Sequence, residues 1–332
     1  MALTEKLTVI ADAIRGKNGS TDVMTLEQMA VAIDELPIGG GGGETENNML
    51  KAILEGSATD ISDSSSESIR KYAFYHLSTL TSIDFPSVKL IGTYAFYGCS
   101  ALTSIDLPSV TSIDKYAFYK CSSLTSIDLP SVTEINSYAF QSCSALTSID
   151  LPLVTLIDQY TFYNCSALTS IDLPLVTRIY ANAFDSCSAL TSIDLPLVKE
   201  INSYAFFGCS ALTSIDLPSV EEIDGRAFYN CISLTSIDLP SVNDIDDKVF
   251  NGCSALTSVL LRNTPRVVYL KSTDTFSDTP IESGTGYIYV PSALIDSYKT
   301  ATNWSTYASQ FRALEDYTVD GTVTGELDES KI

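Results

Sequence analysis

Eight cysteines recur at one position of a 22-residue sequence repeat, and three kinds of chemistry could use them. They could form disulfides, bind a metal ion or pack side by side in the core. The eight are Cys99, Cys121, Cys143, Cys165, Cys187, Cys209, Cys231 and Cys253. Zinc and iron–sulfur sites use closely spaced pairs such as C-x-x-C, which this chain lacks. Neighbouring repeats would place two cysteines roughly 4.8 Å apart, within reach of a disulfide. Because a cytoplasmic product keeps its thiols reduced and a free cysteine packs well in a core, we expect a buried ladder of free thiols.

A second column of the repeat holds aspartates, which could attract cations. Its members are Asp84, Asp106, Asp128, Asp150, Asp172, Asp194, Asp216 and Asp238. On a sheet face they would lie at roughly 4.8 Å intervals, inside a Debye length of about 8 Å, so they should repel and some of their pKa values should rise. Two interpretations follow: a stripe that collects divalent cations or a cationic ligand, and a solvated face that keeps the protein soluble. Neither assigns a metal ligand or a cofactor.

Tyrosines form two further near-columns, and they supply the candidate ligand-binding residues. The first contains Tyr72, Tyr94, Tyr116, Tyr138, Tyr160 and Tyr204; the second contains Tyr75, Tyr97, Tyr119, Tyr163 and Tyr229, with Phe207 in place of one tyrosine. The ligand-binding candidates are Tyr94, Tyr116, Tyr138, Tyr160 and Tyr204. Amphipathic rings suit contacts with a glycan or a protein, and they equally suit half-buried packing between neighbouring repeats.

The chain offers little to catalysis. His76 is the sole histidine and lies in a degenerate repeat, which argues against a Ser-His-Asp or Cys-His pair. The glycine run 39–43 lacks the Lys-Ser/Thr of a phosphate-binding loop. We therefore predict no catalytic residues, no cofactor and no enzymatic activity.

The repeat itself must position these columns. In each unit L-T-S-I-D-L-P predicts a short strand that proline ends, because proline has no amide to donate to a ladder. Alternation would send Ile105 and Leu107 inward and Ser104 and Asp106 outward. The return segment I-D-K-Y-A-F-Y-K-C is spaced like one or two turns of α- or 3-10 helix. A fixed 22-residue period then predicts an α/β solenoid with a parallel sheet on one face.

The pattern divides the chain into six segments. They are a small helical module (1–37), a glycine-rich linker (38–45), an N-terminal cap with a degenerate repeat (46–79), eight 22-residue repeats (80–255), a C-terminal capping unit (256–315) and a polar tail (316–332). In the capping unit we expect strands at 267–270 and 287–290, then a helix from Ser292 to about Tyr298, with Trp304 in its core.

Composition narrows the possible partners. With 41 acidic and 19 basic residues, the net charge of −22 argues against nucleic acid and anionic membrane surfaces. The first residues show no signal peptide and no segment long enough to span a bilayer. We expect a product made in the cytoplasm, with a protein or a cell-surface glycan as its partner.

The motifs L-x-x-I-x-L-P and Y-A-F-x-x-C together resemble the BspA-like leucine-rich repeat family of bacterial surface and secreted proteins. The resemblance covers about residues 58–261. It implies a right-handed solenoid and binding to proteins or surfaces. The uniform concave sheet face and the more varied residues beside it both remain open as the binding surface.

The ends of the chain carry a second resemblance. L-T-x-I-A-D-A-I-R-x-K-x-G-x-T-D-x-M-T-L-E-Q-M-A-x-A-I is similar to the N-terminal module of phage and prophage tail-associated proteins, and Gly284–Tyr307 resembles their closing segment. This favours a tail-associated binding protein, attached to tail proteins through residues 1–37 and released by lysis, that recognises a bacterial surface component. The alternatives are a bacterial interaction protein or adhesin without a virion, and a structural spacer.

Overall fold

The computed structural model describes residues 59–262, 266–319 and 322–323, and the chain divides into two compact units. The units are Met1–Val154 and Thr155–Ile332. The predicted helical module, the linker, the start of the N-terminal cap and most of the polar tail lie outside the described residues. The segment boundaries drawn from the sequence therefore stay a prediction.

Short strands follow one another at intervals of one repeat in the first unit. They are β1 (Asp60–Ser62), β2 (Ser68–Ile69), β3 (Ser82–Asp84), β4 (Leu90–Ile91), β5 (Ser104–Asp106), β6 (Ser112–Ile113), β7 (Ser126–Asp128), β8 (Glu134–Ile135) and β9 (Ser148–Asp150). The odd-numbered strands form one parallel sheet and the even-numbered strands form another. Ile61 pairs with Ile83, and Ile83 pairs with Ile105. The register is thus the sequence repeat, and the unit is a parallel β-solenoid.

The second unit continues the same pattern before it ends in a closing segment. Its strands are β10 (Leu156–Ile157), β11 (Ser170–Asp172), β12 (Arg178–Ile179), β13 (Ser192–Asp194), β14 (Glu200–Ile201), β15 (Ser214–Asp216), β16 (Glu222–Ile223), β17 (Ser236–Asp238), β18 (Asp244–Ile245), β19 (Ser258–Leu260), β20 (Tyr269–Leu270), β21 (Tyr287–Val290), β22 (Phe311–Ala313), β23 (Thr318–Val319) and β24 (Thr322–Val323). The two-residue strands β10 to β20 form one parallel sheet, and β17, β19, β21 and β22 form another. Only β23 and β24 pair antiparallel among the described strands.

The predicted alternation of the strands is confirmed. In β5 the side chain of Ile105 is buried and those of Ser104 and Asp106 are exposed. Leu107 is fully buried where the strand ends, and Pro108 follows it. One face of each S-I-D strand therefore supplies the core and the other is presented to solvent, whereas in β19 Leu260 is buried at the aspartate position.

The return segment consists of consecutive hydrogen-bonded turns, where the sequence suggests helical turns. We call each 22-residue turn of the solenoid a coil. In one coil the amides of Ala117 and Cys121 donate to the carbonyls of Asp114 and Phe118, three residues earlier. The amide of Phe118 donates instead to the carbonyl of Ala139 in the next coil, at 2.8 Å. A helix would use all such amides within itself, whereas this chain of turns leaves every second amide for the neighbouring coil. The turns therefore form a further ladder between coils.

The core is a set of identical side chains placed above one another. In the first unit Phe74, Phe96, Phe118 and Phe140 are buried, and successive ring centroids lie 5.1 Å apart. In the second unit successive phenylalanines from Phe162 to Phe276 lie 5.2–5.7 Å apart. Each coil alone would leave these rings exposed, so burial depends on stacking.

The closing segment covers the last strand of the two-residue sheet. It contains 3-10 helices at Ser292–Leu294, Trp304–Tyr307 and Leu314–Asp316, and helix α1 at Ile295–Thr300. Trp304 Nε1 donates to the Val268 carbonyl at 2.7 Å, and the Val268 amide donates to the Tyr298 hydroxyl at 3.1 Å. Asn303 Nδ2 donates to the Leu270 carbonyl at 2.7 Å. Side chains thus satisfy a sheet edge that would otherwise be open to another strand. None of the helices described is long and apolar enough to cross a membrane.

Candidate functional site

All eight cysteines are buried and none forms a disulfide. Seven of the thiols donate to phenylalanine carbonyls 25 residues earlier; for example, Cys121 Sγ donates to Phe96 O at 3.2 Å and Cys231 Sγ to Phe206 O at 3.2 Å. Burial raises the pKa of the Cys99 thiol to about 12. Over the residues that the structure describes, no group of three or more His, Cys, Asp or Glu side chains could hold a metal ion.

The aspartate column lies on the outer face of the three-residue strands. Asp84 and Asp128 are both in register with Asp106, and Asp194 is in register with Asp216. Seven members are exposed, and Asp238 is half-buried. These carboxylates face one another across neighbouring strands, an arrangement that costs stability. Cation binding by this column stays a prediction.

The end of this column has a cation that sequence reasoning missed. Arg262 Nε donates to Asp238 Oδ2 at 2.5 Å. Burial raises the pKa of Asp238, and the Arg262 guanidinium opposes that rise. The sequence contains a hint of this ion pair. Leu260 takes the aspartate position in the strand next to Asp238, and Arg262 follows that strand two residues later.

The tyrosines of the first unit form two adjacent stacked columns. In the first column, centroid distances are 5.1 Å from Tyr72 to Tyr94, 4.8 Å from Tyr94 to Tyr116 and 4.6 Å from Tyr116 to Tyr138, with rings parallel within 10°. In the second column the centroid distances are 5.1 Å from Tyr75 to Tyr97 and 4.5 Å from Tyr97 to Tyr119. We call this surface the tyrosine face; its members are Tyr72, Tyr75, Tyr94, Tyr97, Tyr116, Tyr119 and Tyr138.

The tyrosine face combines apolar ring area with hydroxyl groups. Its rings are partly exposed, and Tyr75 is 44% exposed. Burial first and the neighbouring phenols second raise the pKa of Tyr94, Tyr97 and Tyr116. The phenols therefore stay protonated at neutral pH and can donate hydrogen bonds. Stacking covers the ring faces inside each column, so a ligand would meet ring edges and hydroxyls.

The tyrosines of the first column adopt a backbone conformation that costs conformational free energy. Tyr72, Tyr94, Tyr116 and Tyr138 have φ of 63°, 60°, 60° and 66°. A bulky side chain in this left-handed region costs roughly 1–3 kcal/mol, which glycine or asparagine largely avoids. A stacked aromatic pair returns about 0.5–1.5 kcal/mol beyond the ring area that it buries, and Tyr94 and Tyr116 each stack on two neighbours. Stacking and ring burial together therefore offset this strain, so the column is compatible with packing as well as with ligand binding.

In the second unit the two aromatic columns are interrupted. Tyr160 lies 5.7 Å from Tyr163, and Tyr204 lies 5.8 Å from Phe207, measured between ring centroids. In the coil between these pairs the two aromatic positions hold Asn182 and Asp185. The structure thus places the candidates Tyr160 and Tyr204 on either side of a polar coil.

Basic residues replace tyrosine beyond Tyr204. The Arg226 guanidinium lies 5.4 Å from the Tyr204 ring centroid, and its Nη1 donates to the Tyr204 hydroxyl at 2.8 Å. Arg226 and Tyr204 line an open groove of about 380 Å³. The other residues that line it are Phe207, Tyr229, Lys248 and Asn251. Sequence reasoning passed over Arg226 and Lys248, although both stand at the tyrosine position of their repeats.

Comparison with known proteins gives a family and several similar structures. A leucine-rich repeat protein from Bacteroides ovatus is 24% identical, with 77% of this chain and 84% of that chain covered and a TM-score of 0.46. The T. pallidum leucine-rich repeat protein is 29% identical over 54% and 79% of the chains, with a TM-score of 0.41. The pneumococcal vaccine antigen PcpA is 20% identical over 77% of each chain, with a TM-score of 0.46. No curated protein sequence matches the chain significantly.

The family match covers most of the repeat. Residues 67–191 and 177–295 match the BspA type leucine-rich repeat region, with six copies of the family unit. These ranges span more than half of the chain, and they contain strands β2 to β21. The chain therefore belongs to the BspA type leucine-rich repeat family.

Proposed function

We propose that this protein binds a component of a bacterial surface through its tyrosine face. The leucine-rich repeat fold is typical of protein-binding and adhesion roles. The observation that carries the proposal is the row of parallel, partly exposed rings formed by Tyr72, Tyr94, Tyr116 and Tyr138. Amphipathic rings that present edges and hydroxyls suit contact with a partner. The proposal involves no catalytic step.

The tyrosine face is a better contact surface than the aspartate column. Tyrosine buries a large area at a low entropic cost and offers a hydroxyl, which is why it is frequent in binding surfaces. The aspartates repel one another and favour only a cationic partner. A neutral glycan or a protein surface therefore fits the tyrosine face better.

The test is a pull-down on intact bacterial cells with the full chain. We expect the double variant Tyr94→Asn/Tyr116→Asn to lose at least tenfold in cell binding, because it removes two central rings. Asparagine suits the test because Asn182 has a φ of 58° at the equivalent position. The matched control is Asp106→Asn/Asp128→Asn, which changes two central residues of the other face.

Two outcomes would contradict the proposal. If the aspartate variant alone loses binding, the strand face is the contact surface. If the wild-type chain retains no cells from any of the strains tested, with and without calcium, the repeat acts as a spacer.

We further propose that the protein is a phage or prophage tail component, made in the cytoplasm and released by lysis. The support is that a motif within residues 1–37 and the segment Gly284–Tyr307 resemble segments of tail-associated proteins. Mass spectrometry of purified particles should detect the chain in a fixed ratio to a tail protein. Its absence from intact particles would favour the alternative, an interaction protein or adhesin without a virion.

A further inference from the structure

One coil of the second unit lacks the rings that its neighbours carry. Asn182 replaces the tyrosine of the first column and Asp185 that of the second. The coil before it carries Tyr160 and Tyr163, and the coil after it carries Tyr204 and Phe207. We call the place between the two aromatic pairs the slot.

The spacing of the coils sets the width of the slot. Successive stacked rings of the tyrosine face lie 4.5–5.1 Å apart, close to the spacing of paired strands. Rings two coils apart are therefore about 10 Å apart. A group midway between them would lie about 5 Å from each ring, which is within the roughly 6 Å range of a cation–π contact.

The same column already contains such a contact. Arg226 occupies the tyrosine position one coil after Tyr204, and its guanidinium lies 5.4 Å from that ring centroid. Asn182 occupies the tyrosine position one coil before Tyr204. A cation at the level of Asn182 would therefore meet the opposite side of the Tyr204 ring at a similar distance, and it would also meet Tyr160.

The base of the slot carries a buried negative charge. Asp185 is 7% exposed, and it accepts hydrogen bonds from Asn182 Nδ2 and from the Ser186 hydroxyl, both at 2.8 Å. No lysine or arginine among the described residues forms an ion pair with it. Burial raises the pKa of Asp185, because desolvation disfavours the charged form, and the hydrogen bonds from Asn182 and Ser186 oppose that rise. A buried carboxylate of this kind is stabilised by a cation.

The polar and aromatic side chains of this coil make contacts within the coil itself. Asn182 is shorter than tyrosine, and its amide is directed to Asp185. Tyr180, the aromatic residue of this coil, contacts Arg178, whose guanidinium lies 5.5 Å from the Tyr180 ring centroid. Aromatic walls and one recessed carboxylate favour an organic cation, since a metal ion requires several oxygen ligands.

We propose that the slot formed by Tyr160, Tyr163, Asn182, Asp185, Tyr204 and Phe207 binds an organic ammonium group. This proposal rests on the proposed binding function and names a chemical feature of the ligand. The group would come from a quaternary ammonium headgroup on a surface polymer or from a lysine side chain of a surface protein. Both offer the same charge, and they differ in size and hydrogen bonding.

The test is an NMR titration of the full chain with choline chloride and, separately, with n-butylammonium chloride. We expect saturable upfield shifts of the ligand protons, because the rings of Tyr160 and Tyr204 would flank them. Preference for choline indicates the headgroup, and preference for n-butylammonium indicates lysine. Asp185→Asn and Tyr204→Asn should each weaken binding at least tenfold. The control is Asp296→Asn on helix α1, an exposed aspartate outside the aspartate column and the slot, and it should bind like the wild type.

The outcomes separate this inference from the proposed function. Thermal melting monitored by circular dichroism will verify that each variant folds. If neither ammonium compound gives a saturable shift, or if folded Asp185→Asn binds as well as the wild type, the inference is wrong. If Asp185→Asn loses the ammonium compounds but retains cells, the slot is confirmed and the tyrosine face is sufficient for adhesion. Loss of cell binding in Tyr94→Asn/Tyr116→Asn with intact ammonium binding supports both proposals as separate contacts.

Discussion

The buried thiols and the buried carboxyl of Asp185 differ in what burial does to their charge. The thiols are neutral, and each bonded thiol donates to a carbonyl, so burial costs them little. Asp185 is ionisable, has only neutral partners and is almost fully buried. Burial therefore protects the thiols from reaction but leaves Asp185 destabilised in its charged form.

The cysteines should react only after unfolding. With a thiol-specific chromogenic reagent, the native chain should give close to zero fast-reacting thiols, and the chain in denaturant without reductant should give all eight. The physical reason is that burial raises the thiol pKa and blocks access, as at Cys99, whose pKa is about 12. A low count in denaturant would indicate disulfides and contradict the ladder of free thiols.

Asp185 should make stability fall as the pH rises. Its folded-state pKa is raised above the ordinary value of 3.8, so the native state holds this proton more tightly than the unfolded state does. The resulting stabilisation is present below pH 3.8 and is lost as the pH rises through the folded-state pKa. The variant Asp185→Asn has no carboxyl to ionise at this position, so it does not lose this stability as the pH rises. Its urea midpoint should therefore exceed the wild-type midpoint at pH 7, and the two midpoints should converge near pH 3.8. Parallel pH profiles would show that Asp185 is not destabilised by burial.

At the scale of the elements, each coil consists of strands and turns that hydrogen-bond to the next coil. The strands do so through ordinary parallel pairing, and the turns do so through alternate amides such as that of Phe118. The turns require left-handed residues at two positions, which explains why Gly98, Gly208 and Gly252 share a position with Lys120. Backbone conformation thus limits the side chains that these turns accept without strain.

Lys120→Gly should stabilise the protein by about 1 kcal/mol, because lysine at a φ of 59° is strained and glycine is not. The control is Lys115→Gly in the same turn. Lys115 is not among the positive-φ residues, so its replacement should destabilise by roughly 0.5–1 kcal/mol. Chemical denaturation of both variants measures the difference. Equal losses in the two variants would contradict the strain argument.

Asp128→Asn should raise the melting temperature, since it removes a carboxylate that faces Asp106 and Asp150 on neighbouring strands. The gain should shrink as sodium chloride is raised, because salt screens exposed charges. Melting curves with and without calcium provide the comparison. A calcium-dependent rise in the wild type that the variant loses would favour the cation stripe over the solvated face.

At the scale of the whole molecule, a solenoid must end without an open sheet edge. Stacked coils expose their last strand to any other strand that could pair with it. The closing segment of the second unit prevents this with Tyr298, Asn303 and Trp304, which bond to the backbone of Val268 and Leu270. The acidic composition works in the same direction, since a net charge of −22 keeps copies of the chain apart.

Trp304→Phe should destabilise the second unit by roughly 1–3 kcal/mol, because the Val268 carbonyl then loses its buried donor. Tyr269→Phe is the control, since Tyr269 lies in the same edge strand but is 58% exposed. Denaturant unfolding and amide exchange at 268–270 would measure the effect. Unchanged exchange in Trp304→Phe would mean that the cap does not depend on this bond.

The sequence by itself determined the period, the strands and the buried columns. Those features follow from local rules: proline ends each strand after Leu107, and alternation buries Ile105 and exposes Asp106. The burial of a column of identical residues at a fixed period can be predicted from one repeat, because the neighbouring coil has the same sequence pattern. The family followed from the same repeat.

Only the tertiary structure decided the form of the return turns and the roles of the residues that break the repeat. Spacing alone could not separate a helix from a chain of turns, because the choice depends on amides such as that of Phe118 bonding to the next coil. The slot at Asp185 likewise arises between coils, since its aromatic pairs lie far from Asp185 in sequence. Burial and charge at such a position depend on what neighbouring coils place around it, and a single repeat does not contain that information.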